Sequence, residues 1–180
     1  MSVWRQAKHT SHLPVLELIF KHSNIKDVFE YGCGDYSTKF FVDHAQAVTS
    51  VEMNKKAWYE KVKSNIASDN LNIMFIDGGP ASIEYFKSTD KVWDLVFVDG
   101  DRVSRKDCVI NAFGKAEIIA VHDIHLTWKR CIHRGWKNIV VPDIYKIITM
   151  DFYPGTTVYT LNKSLFEELK KHPKGIVIRA

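Results

Sequence analysis

Short apolar segments alternate with longer amphipathic ones along the first two thirds of the chain. The apolar runs are rich in valine, isoleucine and phenylalanine and lie at 28–31, 47–51, 72–76, 93–98 and 117–121. Runs of this length and composition are typical of strands buried on both faces of a sheet. The segments between them are long enough for helices, at 37–44, 55–66, 81–87 and 104–113. The alternation predicts an α/β fold, in which a mostly parallel sheet is covered by helices on both faces as a three-layer α/β/α sandwich.

Both ends of the chain depart from this alternation. Apolar side chains at helical spacing over 13–20, behind an early proline, predict a helix before the first strand. The β-rich runs 145–152 and 156–161 are joined by a Pro-Gly turn, which predicts a C-terminal antiparallel hairpin. We expect a last helix at 165–171 and a short strand at 176–178.

Length and composition narrow the class of protein. The chain has 180 residues, with 46% hydrophobic and 26% charged residues, which is typical of one folded domain spanning 1–180. We find no apolar stretch long enough for a signal peptide or a membrane span. The three cysteines are widely spaced and fit neither a disulfide framework nor a zinc site. These features predict a cytoplasmic protein with no membrane partner.

The segment after the first strand predicts a ligand site. Gly32 and Gly34 lie in a strand-to-helix turn, where missing side chains let a ligand approach the backbone. Glu30 precedes them, and Ser37 and Thr38 open the helix that follows. In open parallel sheets, ligands bind at such carboxyl ends of strands.

An acidic residue at the end of the second strand supports a nucleoside ligand. Glu52 follows Gly34 by eighteen residues, and a carboxylate there can accept hydrogen bonds from two ribose hydroxyls. A dinucleotide site would place a third glycine where Ser37 stands, so the pattern disfavours NAD. Asp77 follows the third strand in an Asp-Gly pair, which is typical of a turn.

The sequence around these residues resembles the class I S-adenosylmethionine (SAM)-dependent methyltransferases, over about 12–125. The turn Glu30-Tyr31-Gly32-Cys33-Gly34 with Ser37-Thr38 is similar to the first motif of that family, Val51-Glu52 to its ribose-binding acid, and Ile76-Asp77-Gly78 to its adenine contact. The resemblance implies a Rossmann-like fold and SAM as cofactor. Glu30, Gly32, Gly34, Ser37, Thr38, Glu52, Asp77 and Asp99 are the cofactor-binding residues that we expect.

The fourth and fifth strands end in a second group of polar residues. Asp99, Asp101 and Arg102 follow the fourth strand, and His122 and Asp123 end the fifth. Neighbouring parallel strands bring their ends to one crevice. The aspartates at 99 and 123 are therefore candidate ligands for Mg²⁺ or another divalent cation, and histidine would shift the preference toward manganese or zinc.

This second group resembles the metal site of the catechol-type and sugar O-methyltransferases. Two positions depart from the pattern. Arg102 stands where those enzymes carry a lysine or histidine and is always protonated, so it would orient a substrate rather than accept a proton. Ile124 replaces an amide ligand. The candidate catalytic residues are Asp99, His122 and Arg102. Without a metal, His122 or His125 would be the base that takes the proton of the acceptor.

The expected acceptor is a small molecule, and the cations and two tryptophans at 126–137 would suit one that carries an anionic group. Alternatively, the tryptophans pack a helix against the sheet and the cations face water. Nucleic-acid methylation is an alternative, although the net charge of +4 is small for a surface that follows phosphates. An inactive protein that binds SAM or a nucleotide is another. A homodimer is compatible with the short chain, which leaves little room for a lid.

Overall fold

The computed structural model describes residues 10–124, 136 and 139–180. The strands are β1 Asp27–Tyr31, β2 Ala47–Glu52, β3 Leu71–Phe75, β4 Trp93–Val98, β5 Ala116–His122, β6 Lys146–Met150, β7 Thr156–Thr160 and β8 Gly175–Arg179. The helices are α1 Leu13–His22, α2 Ser37–His44, α3 Lys56–Asn65, α4 Gly79–Ser88, α5 Arg105–Ala112 and α6 Lys163–Lys171.

The strands form one sheet in the order β3-β2-β1-β4-β5-β7-β6-β8. Strands β1 to β5 pair in parallel, and β7 joins β5 antiparallel. Strand β6 lies between β7 and β8 and is antiparallel to both. The predicted mostly parallel sheet and its C-terminal antiparallel hairpin are confirmed. The order reverses between β1 and β4, so a crevice opens at the carboxyl ends of these two strands.

Helices cover both faces of the sheet, which confirms the three layers. Apolar side chains of α1, α2 and α6 share one core with one face of the sheet, and those of α4 and α5 share another with the opposite face. Val62 of helix α3 and Ile66, directly after the helix, pack against Cys33 beside the glycine turn. The first helix buries Val15, Leu16 and Ile19, as its apolar spacing predicts.

Several expectations lie outside the described residues. His125 and most of the cationic segment 126–137 belong to this group. Trp136 is described and is 4% exposed in the apolar core. Among the helices that the structure describes, none has the length and apolar character needed to cross a membrane.

Candidate active site

A cavity of about 790 Å³ lies where β1, β2, β4 and β5 end. This volume is within the range of small-molecule and cofactor sites. Gly32, Gly34, Ser37, Glu52 and Trp58 line the side near β1 and β2, and Asp99, Arg102, Arg105, His122 and Asp123 line the side near β4 and β5, together with His12. The structure thus brings the two predicted groups of polar residues into one cavity.

Gly32 is required where the ends of β1 and β4 approach each other. Its φ is +89°, and a Cβ there would lie 2.5 Å from the backbone of Gly100. Only glycine combines this conformation with such a close contact. Gly34 has ordinary backbone angles, and a Cβ on it would meet the Oγ of Ser37 at 2.8 Å. Gly32 therefore allows the ends of β1 and β4 to lie in close contact beside the cavity.

Hydrogen bonds from beneath hold the glycine turn in place. The backbone N–H of Gly34 donates to Oγ1 of Thr38 (2.9 Å), and that hydroxyl donates to Oε2 of Glu30 (2.6 Å). Ser50 donates to the same carboxylate oxygen at 2.5 Å. Glu30 and Thr38 are fully buried behind the turn and do not line the cavity. The geometry makes them supports of the turn.

Burial changes the chemistry of Glu30. It raises the pKa of this carboxyl group to about 7, against the hydrogen bonds from neighbouring hydroxyls that favour the charged form. The other carboxylate oxygen, Oε1, is buried without a hydrogen-bond partner. A carboxyl group in this setting is protonated more readily than an exposed one.

Glu52 lies on the cavity wall at the end of β2. Its Oε1 accepts hydrogen bonds from the backbone N–H groups of Asn54 (2.9 Å) and Lys55 (3.0 Å). The thiol of Cys33 lies 3.8 Å from Oε2. The backbone contacts fix the carboxylate, and Oε2 keeps capacity to accept hydrogen bonds from a ligand. Asp77 is exposed and lies outside the lining of the cavity.

His122 connects Asp99 and Ser11 across the far side of the cavity. Its Nδ1 lies 3.0 Å from Oδ2 of Asp99, and its Nε2 lies 2.9 Å from Oγ of Ser11. Burial alone would raise the pKa of Asp99, but the imidazole of His122 and the guanidinium of Arg105 hold that pKa below its usual value. Burial opposes the charged form of His122 too, and the facing carboxylate of Asp99 raises its pKa overall.

Arg105 fixes the ends of β4 and β5. Its side chain is 3% exposed, and it donates to Oδ1 of Asp99 (3.1 Å), to the carbonyl of Gly100 (2.9 Å) and to the carbonyl of His122 (2.7 Å). It also lies 3.7 Å from Oδ2 of Asp123. The guanidinium group therefore stands between the two carboxylates predicted to bind a cation.

His12 enters the same site from the N-cap of α1. Its ring lies edge-on to the ring of His122, with centroids 4.7 Å apart, and the residue is 3% exposed. Both ring nitrogens are buried without a hydrogen-bond partner. Burial and the nearby His122 lower the pKa of His12 to about 4, so its imidazole is neutral at pH 7.

Asp123 and Arg102 complete this side of the cavity. Asp123 has a φ of 61°, a left-handed conformation that aspartate tolerates better than most residues. Its Oδ1 lies 3.7 Å from Nε2 of His122. Arg102 is exposed at the cavity rim, where a guanidinium can meet an incoming anionic group.

The sequence interpretation missed His12 and Arg105, and both carried a signal. His12 precedes the buried Leu16 by four residues and thus continues the apolar face of α1. Arg105 shares the buried face of α5 with Cys108 and Ala112, which follow it by three and seven residues. A charged or titratable residue in an apolar stripe needs a buried partner. Neither spacing alone identifies that partner.

Comparison with known proteins supports the fold. No protein-family model matches the sequence, and no curated protein matches it. Among solved structures, the O-methyltransferase from Bacillus cereus in complex with S-adenosylhomocysteine (SAH) is 16% identical, with a TM-score of 0.60 over 89% of this chain and 82% of that one. An SAH-bound methyltransferase from Podospora anserina is 11% identical, with a TM-score of 0.62 over 91% and 80%. The N-methyltransferase NodS from Bradyrhizobium japonicum is 13% identical, with a TM-score of 0.55 over 86% and 94%.

The chain has the Rossmann-like fold of the class I SAM-dependent methyltransferases. At these identities the likeness is one of fold, and activity has to be argued from the cavity.

Proposed function

We propose that this protein is a SAM-dependent methyltransferase that methylates a hydroxyl group of a small acceptor. The observation that carries the proposal is the single cavity that joins a glycine turn and Glu52 to Asp99 and His122. The glycine turn and Glu52 suit the binding of a nucleoside. Asp99 and His122 suit the removal of a proton from the acceptor. The two lie at the ends of neighbouring strands, where reactants can be held side by side.

The cofactor belongs at the side of the cavity near β1 and β2. Oε2 of Glu52 accepts from the ribose hydroxyls, while its Oε1 stays on the backbone of the following turn. Gly32, Gly34 and Ser37 leave room for the amino-acid part of SAM along the turn. Glu30 and Thr38 act from beneath by holding the N–H of Gly34. The predicted contact of Asp77 with adenine requires this exposed side chain to turn toward the cavity.

The acceptor belongs at the side near β4 and β5. SAM supplies an electrophilic methyl group, so the protein has to align the acceptor and take its proton. Asp99, His122 and His12 are the groups that can accept it there, and Asp99 fixes the ring of His122 through Nδ1. Arg102 at the rim suits an acceptor that carries phosphate or carboxylate, because guanidinium binds such groups through two parallel hydrogen bonds.

The sequence also predicts a divalent cation on Asp99 and Asp123. Arg105 lies within 3.1 Å of the first carboxylate and 3.7 Å of the second, so a positive charge already stands between them. This arrangement disfavours Mg²⁺ in that position, because the ion would approach a buried guanidinium. The ligation of a metal by Asp123 stays a prediction.

The acceptor class can be tested with SAM labelled with tritium on the methyl group. We expect purified protein to transfer label to the small-molecule fraction of a cell extract, and Asp99→Asn to reduce the transfer at least tenfold. Transfer to nucleic acid instead would contradict the proposed acceptor. Binding of SAM without transfer to any fraction would favour the inactive binding protein. The exposed Asp69→Asn variant is the matched control, because Asp69 lies outside the cavity lining.

A further inference from the structure

His12 is a buried histidine whose two ring nitrogens form no hydrogen bond with any described residue. It is 3% exposed, it lines the cavity, and both ring nitrogens are without a hydrogen-bond partner. A buried imidazole normally satisfies at least one nitrogen, because burying an unpaired polar atom is costly. Its titratable neighbours in the cavity are Asp99 and His122, whose carboxylate and imidazole groups are common metal ligands. Ligand atoms of His12, Asp99 and His122 all lie within 4.8 Å of one another.

Asp99 and His122 are spaced like neighbouring ligands of one ion. Oδ2 of Asp99 and Nδ1 of His122 are 3.0 Å apart. Two atoms at this separation subtend an angle of about 90° at an ion about 2.1 Å from each, which is the angle between adjacent ligands of an octahedral site. Two ligands of one ion lie at most about 4.2 Å apart at that bond length. Because the three ligand atoms lie within 4.8 Å of one another, a small movement would bring His12 to the same ion.

The surroundings of these two ligands match the usual outer shell of a metal site. Metal-binding histidines usually donate the other ring N–H to an oxygen, and metal-binding carboxylates are themselves hydrogen-bonded. Nε2 of His122 lies 2.9 Å from Oγ of Ser11, so Nδ1 is the ligand atom once the ion replaces the proton that it shares with Oδ2 of Asp99. Oδ1 of Asp99 accepts from Arg105 at 3.1 Å, which leaves Oδ2. The ligand atoms are therefore Oδ2 of Asp99 and Nδ1 of His122, which face each other in the cavity.

We propose that His12, Asp99 and His122 bind one divalent transition-metal ion in the cavity. Two imidazoles and one carboxylate are the ligand set of sites for manganese, iron, cobalt, nickel or zinc rather than for Mg²⁺, and three protein ligands leave positions open for an acceptor. This site differs from the predicted pair Asp99 and Asp123 in its third ligand, which comes from the start of α1. It also lies on the side of Asp99 that Arg105 does not occupy.

The use of this ion rests on the proposed function, whereas its binding does not. With the ion bound, the three side chains would act as ligands rather than as proton acceptors, and the ion would lower the pKa of an acceptor hydroxyl that coordinates it. Binding can be measured without SAM, and SAH binding can be measured without metal. The two proposals can therefore fail separately.

The test is titration of the metal-free protein with Co²⁺, followed by visible absorption and calorimetry. We expect one ion per chain, with d–d bands that report nitrogen ligands. His12→Leu should weaken binding at least about 100-fold, since even loss of an outer-shell partner costs 10–100-fold. Because His12 makes no side-chain hydrogen bond in the structure, this variant should fold as well as the parent protein. Mg²⁺ should not compete at equal concentration.

Three variants separate this site from its alternatives. His44→Leu, at an exposed histidine of α2, is the matched control and should bind Co²⁺ like the parent. Asp123→Asn should change Co²⁺ affinity less than threefold. Asp99→Asn should lose the bands, with far-ultraviolet circular dichroism as the check on folding. The proposal is overturned if the parent binds no Co²⁺, or if Asp123→Asn abolishes binding while His12→Leu retains it.

Discussion

The buried carboxyl group of Glu30 makes the stability of the folded protein depend on pH. Its pKa is raised from the ordinary 4.5 to about 7, chiefly by burial. The folded state therefore holds the proton more tightly than the unfolded chain. Stability from this group is complete below about pH 4.5 and is lost as the pH rises through 7. At about 1.4 kcal/mol per pKa unit, the loss is about 3 kcal/mol.

Glu30→Gln should remove this dependence. Glutamine keeps an oxygen for Thr38 and Ser50 and carries no charge to bury. The free energy of unfolding of the variant, relative to the parent, should rise by about 3 kcal/mol between pH 4.5 and 8. Urea denaturation across this range measures it. A difference that stays constant with pH would show that Glu30 titrates normally.

Gly32 and Gly34 make a second comparison, between two glycines that look equivalent in the sequence. Gly32→Ala should destabilise the protein by more than about 2 kcal/mol and abolish SAH binding, because its φ of +89° and its 2.5 Å approach to Gly100 both exclude a side chain. Gly34→Ala should cost less, since a turn of the Ser37 side chain can relieve the contact. Denaturation curves of the two variants decide it. Equal losses would contradict this account of the turn.

The sequence identified these glycines as a ligand turn but could not separate their roles. The difference depends on β4, whose end at Gly100 approaches Gly32 through space. The same limit applies to Glu30 and Thr38, which were predicted to bind the cofactor. Their positions behind the turn follow from the register of β1 with β2, which brings Ser50 to Glu30.

At the scale of elements, α5 links β4 to β5 through Arg105. This side chain, 3% exposed, binds the carbonyls of Gly100 and His122 and the carboxylate of Asp99. Arginine spreads its donors over a planar fork, whereas lysine has a single ammonium group. The helix can therefore hold two strand ends together only with arginine at this position.

Arg105→Lys should lower the free energy of unfolding by about 2 kcal/mol, because lysine keeps the charge but leaves at least one buried carbonyl without its hydrogen bond. Arg102→Lys, three residues earlier and exposed, should change it by less than about 0.5 kcal/mol. Thermal and urea unfolding of the two variants provide the measurement. Similar stabilities for both would show that the network around Arg105 contributes little.

Most elements were predictable from spacing alone. The parallel strands, their crossover helices and the C-terminal hairpin follow the apolar pattern because each buries a regular face. The order of the last strands was not predictable, since β7 rather than β6 joins β5. Both hairpin strands are almost entirely buried. Their sequences therefore do not show which of the two pairs with β5.

At the scale of the whole molecule, the topology makes the site. The reversal between β1 and β4 brings residues from widely separated parts of the sequence to one cavity, including Glu52 and Asp99. A rule about strand ends was enough to predict this meeting. It could not place His12, because α1 precedes the sheet and its approach to His122 depends on helix packing.

The most direct test of the account is calorimetric titration with SAM and SAH, with NAD as comparison. We expect micromolar binding of SAM and SAH and none of NAD. Glu52→Gln should weaken binding at least about tenfold, because it removes charge-assisted hydrogen bonds to the ribose, while Glu60→Gln on the exposed side of α3 should not. Absence of SAM and SAH binding, or preference for NAD, would contradict the proposed methyltransferase and leave only the fold.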